Sequence, residues 1–136
     1  MRREAELWIR SAEDDVFDAK LSHSHKRYFR TAFFAQQAVE KVLRAMFFVL
    51  KREEPPKLHT VTELYKLLTP EFKLPAELEE QLYILNKYYT VSRYPDAANG
   101  LPSESVDRIE AERALKIAEE VLDYARRVVE GDKKEG

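Results

Sequence analysis

Ala32-Phe33-Phe34-Ala35-Gln36-Gln37-Ala38-Val39-Glu40-Lys41-Val42-Leu43-Arg44-Ala45 is the centre of an apolar run, about residues 27–51, whose reading decides the fold. Phe29, Met46, Phe47, Val49 and Leu50 extend the pattern, and together these side chains cover more than one stripe of a helix. A helix that is hydrophobic nearly all round is either central to a bundle or turns a second face to a partner subunit. Glu53-Glu54-Pro55-Pro56 ends it, because proline lacks the N–H of the ladder and restricts the residue before it.

The flanking segments repeat the helical period. From about residue 3 to 22, Ala5, Trp8, Ala12, Val16 and Ala19 form one stripe, broken at Ser22-His23-Ser24-His25. Downstream, Thr60-Val61-Thr62-Glu63 has the capping-box form and opens a short helix, about 60–68, closed by Thr69-Pro70. Pro75 suits the first turn of a fourth helix, about 75–90, with Leu78, Leu82, Leu85 and Tyr89 inward. Asp107 and Glu110 cap a fifth, about 107–129, with Ala111, Ala114, Ala118, Val121, Leu122, Ala125 and Val129 on one side and Gly131 at its end. No stretch alternates with period two. The expectation is an all-α, up-and-down bundle of about five helices, four long and one short, in a single domain spanning 1–136.

Composition excludes several classes. The longest wholly apolar run, residues 45–50, is too short to span a bilayer, and no apolar segment near the N-terminus forms a secretory signal, so a cytoplasmic location is expected. With no cysteine there is neither a disulfide framework nor a thiol nucleophile. The net charge of −2 gives no overall polyanion signal, yet residues 26–52 carry seven basic side chains against Glu40, a local balance of +6. That strip reads as a solvated helix face or as a phosphate-binding surface. Few Asn and Gln beside many Glu, Lys and Arg point to a thermophilic source.

Loops between helices carry the chemistry of helical domains, and the expected loop at 91–105 holds Arg93, Tyr94, Asp96 and Asn99. Arg93 and Asp96 either form an internal turn contact or grip and orient a phosphate. Tyr94 either covers the loop or stacks on a base. His59 either closes the start of the short helix or approaches Arg93 as a base. Gln36 and Glu40 share one face of the central helix and serve packing or line a cleft beneath the loop; Glu40 also stands at pairing distance, i to i+4, from Arg44. His23 and His25 supply two potential metal ligands and no completing cluster, so no metal and no cofactor are expected.

Three segments, Ala32 to Ala45, Leu58-His59-Thr60-Val61-Thr62-Glu63-Leu64, and Lys87-Tyr88-Tyr89 through Arg93-Tyr94-Pro95-Asp96-Ala97, resemble in order and spacing the signatures of the HEPN family, over roughly residues 3–130. The resemblance implies a five-helix bundle that forms a two-fold homodimer and pairs with a small nucleotidyltransferase of the minimal type. Many members are metal-independent endoribonuclease toxins held in check by that partner. Their motif is an arginine, four to six residues, then a histidine, two copies of which face each other across a basic cleft. The pair helps activate the ribose 2′-OH and stabilise the phosphorane. Here the permitted histidine positions after Arg93 hold Ala98, Asn99 and Gly100, none of which shuttles a proton near neutral pH.

Three readings follow. The first is a homodimeric partner of a nucleotidyltransferase with a nucleotide- or RNA-phosphate-binding cleft around Arg93, contributed to by Tyr94, Asp96, Asn99, Glu40 and Gln36. The second is a ribonuclease toxin using Arg93 with His59 as an unorthodox base. The third is a helical bundle serving protein interaction alone.

Overall fold

The structure is a computed structural model that describes residues 2–94 and 100–135. Asp96 and Asn99, expected at the site, lie outside the described residues, as do the side chains of Arg93 and of residues 133–135. Among the described residues every regular element is helical: α1 (Arg2–Ser24), α2 (Tyr28–Met46), α3 (Val61–Leu68), α4 (Ala76–Gln81), α5 (Asn86–Arg93) and α6 (Arg108–Glu135). A π turn at Phe47–Lys51 prolongs α2, and 3-10 turns occupy Leu82–Leu85 and Pro102–Glu104.

The apolar excess of α2 has a direct structural use. α1 and α6 pack along it on one side, and α3 and α5 cover the other. Phe29, Ala32, Ala35, Ala38, Val39, Val42, Leu43, Ala45 and Met46 are all buried within one chain. The helix is therefore central, and its composition supplies no independent argument for a partner subunit. The small residues Ala5, Ala12 and Ala19 on α1 and Ala111, Ala114, Ala118 and Ala125 on α6 have no exposed surface, and alanine there lets helix axes approach closely. Ile9 takes the buried place on α1 that the sequence suggested for Trp8, which is only half-buried. Asp15 and Lys41 pair at 2.8 Å between α1 and α2. Burial leads the effects on Asp15 and raises its pKa, against the pull of Lys41.

Four local expectations are corrected. The fourth helix, expected unbroken over 75–90, is α4, a 3-10 turn and α5 in succession. A 3-10 turn takes about three residues where an α-helix takes 3.6, so the buried stripe Leu78, Leu82, Leu85 continues at Tyr88 rather than at Tyr89. Gly131 does not end the last helix, which runs on to Glu135, its final turns tied by Arg52 to Asp132 at 2.8 Å. The Thr60–Glu63 capping box does not close on the backbone: the Thr60 hydroxyl donates to the Glu63 carboxylate, and the Val61 N–H donates instead to Asn86 Oδ1. Asp107 does cap α6, accepting from the Glu110 N–H at 2.8 Å, but the Glu110 side chain is drawn away to α5.

Candidate functional site

The site is built around α5, which is fixed at both of its edges. At its start, Asn86 accepts from the Val61 N–H at 3.1 Å and donates to the Thr62 hydroxyl at 2.9 Å, locking α5 to the first turn of α3. In its middle, the fully buried Tyr88 donates its hydroxyl to Glu110 at 2.6 Å, and Lys87 pairs with the same carboxylate. Burial, with that carboxylate adding, raises the Tyr88 pKa, so the phenol keeps its proton and the tie to α6 persists throughout the neutral range. Neither Asn86 nor Tyr88 was singled out from the sequence as an anchor. The available signal was an asparagine inside a helical run, where its propensity is poor and a tertiary hydrogen bond is the usual reason for its presence.

On the face between these anchors, the His59 ring stacks on Tyr89 with centroids 5.1 Å apart and planes 10° from parallel. Arg93 ends the helix one turn beyond Tyr89, about 6 Å along the axis at 1.5 Å per residue. The structure thus brings His59 to the helix that carries Arg93. Tyr94 follows in extended conformation, its N–H bonded to the Thr90 carbonyl and its side chain 62% exposed.

His59 is held there by a polar chain that begins inside α2. Gln36, with no exposed surface, donates from Nε2 to Glu40 at 3.3 Å. Glu40 accepts from Arg44 Nε and Nη2 at 3.3 and 3.2 Å, so the i, i+4 pair expected from the sequence is present. Arg44 also donates to the carbonyls of Pro56 at 3.2 Å and Leu58 at 2.6 Å, and its guanidinium lies over Trp8. A guanidinium with its donors spread over a carboxylate and two carbonyls clamps the 56–58 segment against α2, and His59 is the next residue. Gln36 and Glu40, expected as possible cleft residues, are used in this clamp; Gln36 has no surface left with which to meet a ligand. Of the other histidines, His23 donates to Glu112 at 2.7 Å, joining the end of α1 to α6 and holding the Glu112 carboxyl below its ordinary value.

The HEPN domain family model matches residues 5–128, and the chain belongs to the HEPN domain family. A protein of Methanocaldococcus jannaschii named "Putative toxin MJ1304" is 28% identical over 133 residues, which is 88% of this chain and 84% of that one. The crystal structure of TT1696 from Thermus thermophilus superposes with a TM-score of 0.82 at 32% identity, over 94% of this chain and 99% of the other. The crystal structure of ST0689, an archaeal HEPN homologue, gives a TM-score of 0.77 at 28% identity, over 93% and 98% of the two chains.

Proposed function

We propose that this HEPN protein is the toxin-type member of a toxin–antitoxin pair, a homodimer that binds RNA phosphate in a cleft around Arg93 and docks a small nucleotidyltransferase. The observation that carries the reading is the end of α5: Arg93 closes the helix one turn beyond the Tyr89–His59 stack, on an element anchored by Asn86 and Tyr88. Anchoring of that kind fixes the backbone from which the Arg93 side chain springs, so the helix needs no reorganisation for Arg93 to meet a phosphate. The likeness to the Methanocaldococcus protein supports the toxin class. Phe17 and Leu21 on α1, 66% and 50% exposed, give an assembly apolar surface to cover.

The residues after Arg93 supply no histidine, so in this reading the cleft holds RNA and does not cut it by the Arg–His route. A second reading is favoured by one observation, the stacking of His59 beside the same helix: a nuclease in which that imidazole takes the missing role. Binding of single-stranded RNA, measured by anisotropy for wild type and Arg93→Ala, tests the common part. Weakened binding by the variant, with unchanged helicity and molar mass by light scattering, is the expected result. Equal binding by both proteins would remove Arg93 from the RNA site, and no binding by wild type would leave the interaction-only reading in place.

A further inference from the structure

The seven basic side chains of residues 26–52 do not share one fate. Lys41 pairs with Asp15, Arg44 with Glu40, Lys51 with Glu71 and Arg52 with Asp132. The remaining three, Lys26, Arg27 and Arg30, reach no carboxylate at ion-pair distance among the described residues. They gather on a cavity of about 230 Å3 whose opposite wall is Leu101, Pro102 and Ser103. Among the described residues, no acidic side chain lines it.

Two further details shape the cavity. Lys26 has φ of 58°, a left-handed conformation that turns the chain sharply from α1 into α2 and sets consecutive cations at the mouth. The Arg30 guanidinium lies 5.8 Å from the centroid of the buried Phe29 ring, which supports the cation without neutralising it. Across from them, Ser103 offers a hydroxyl, and Leu101, 60% exposed, offers an apolar ledge.

We infer that Lys26, Arg27 and Arg30 make this cavity an anion site for the phosphate ester of a nucleotide or nucleic-acid strand, adding contacts that the proposed function does not assign. Three like charges gathered with no counter-charge among the described residues repel one another, and an occupant carrying negative charge relieves that repulsion. Two guanidiniums suit the paired oxygens of a phosphate better than they suit a carboxylate-free solvent face. The exposed Leu101 beside them favours an occupant with an apolar surface next to its charge, as a nucleotide has, over a bare inorganic anion. Phosphate is the shared chemistry; a free mononucleotide and the backbone of a strand are its two sources.

The test is the salt dependence of binding of a short fluorescent single-stranded oligoribonucleotide to four proteins. They are wild type; the triple variant Lys26→Asn, Arg27→Gln, Arg30→Gln; a charge-matched triple variant Lys20→Ala, Arg52→Ala, Lys73→Ala; and Arg93→Ala. Asparagine is chosen at position 26 because it tolerates the left-handed backbone, and the matched cations are all paired with carboxylates elsewhere. For single strands the slope of log K against log salt changes by about 0.7 per phosphate contact, so the cavity variant is expected to lose about 2 from its slope. The charge-matched variant keeps the wild-type slope. Full displacement of the probe from the Arg93→Ala protein by adenosine 5′-monophosphate assigns the site to a terminal phosphate; failure to displace assigns it to backbone.

Equal loss in both triple variants would show only diffuse charge and overturn the site, as would wild type that binds no RNA or binds without salt dependence. Loss in Arg93→Ala with the cavity variant intact would sink this inference and leave the cleft reading standing. Loss in the cavity variant with Arg93→Ala intact would do the reverse.

Discussion

Toward its C-terminal end and the turn beyond it, α2 meets each of its cations with a carboxylate, from another element for Lys41, Lys51 and Arg52 and from its own Glu40 for Arg44, whereas at its N-terminal end Lys26, Arg27 and Arg30 stand together over a cavity. The contrast separates two uses of charge. Lys41 and Arg44 are partly buried and hydrogen-bonded into the fold, where an uncompensated charge would be costly. The N-terminal three are exposed, cost the fold little, and keep their field available to something outside it.

That comparison makes predictions of graded size. Arg44→Ala strands the Glu40 carboxylate and two carbonyls, and a urea titration should show a loss of about 3 kcal/mol or more. A loss below about 1 kcal/mol would mean that the clamp on the His59 segment is ornamental. Tyr65 is next. Its hydroxyl donates to Glu79 and accepts from the Leu74 N–H, so Tyr65→Phe should cost about 1–3 kcal/mol by leaving that buried N–H unmet.

The same residue predicts a pH dependence. Burial, with the Glu79 hydrogen bond adding, pushes the Tyr65 phenol from 10.0 up to about 12. A pKa raised on folding gives stability that is whole below pH 10 and is lost as pH rises through about 12. Wild type should therefore weaken across that window, and Tyr65→Phe should weaken less steeply; Tyr88, shifted in the same direction, keeps some slope in both. Parallel curves for the two proteins would remove Tyr65 from the account. Lys51→Ala breaks a partly exposed pair with Glu71 and should cost no more than about 1 kcal/mol. At the bottom of the scale, the triple variant at Lys26, Arg27 and Arg30 should melt within a degree or two of wild type or slightly above it, since each site is exposed and the change relieves repulsion. A large drop in its melting temperature would mean that these cations are structural, and the two ends of α2 would no longer differ.

Helix existence was legible because burial follows the 3.6-residue period, as at Ala5, Ala12, Val16 and Ala19, whereas the all-round apolar pattern of α2 left a central place and a partner-facing surface equally open. The register after Leu85 was not legible, because the 3-10 tightening that selects Tyr88 over Tyr89 leaves no local pattern. At the site, the sequence supplied Arg93, His59 and the Glu40–Arg44 pair. It could not show that Arg44 reaches the Pro56 and Leu58 carbonyls, or that His59 meets Tyr89, since those contacts join distant segments. The +6 balance of residues 26–52 was equally visible in advance. Which cations remain unpaired was not, because Asp15, Glu71 and Asp132 are supplied from far along the chain.

The most direct test of the proposed function is incubation of a mixed RNA pool in EDTA with wild type, Arg93→Ala, Ala98→His and the double variant Arg93→Ala/Ala98→His. A binding cleft without its general acid–base predicts no cutting by wild type, and new cutting by Ala98→His that vanishes when Arg93 is also replaced. Cutting by wild type that is lost in Arg93→Ala would contradict it, and would move the catalytic role to the imidazole of His59.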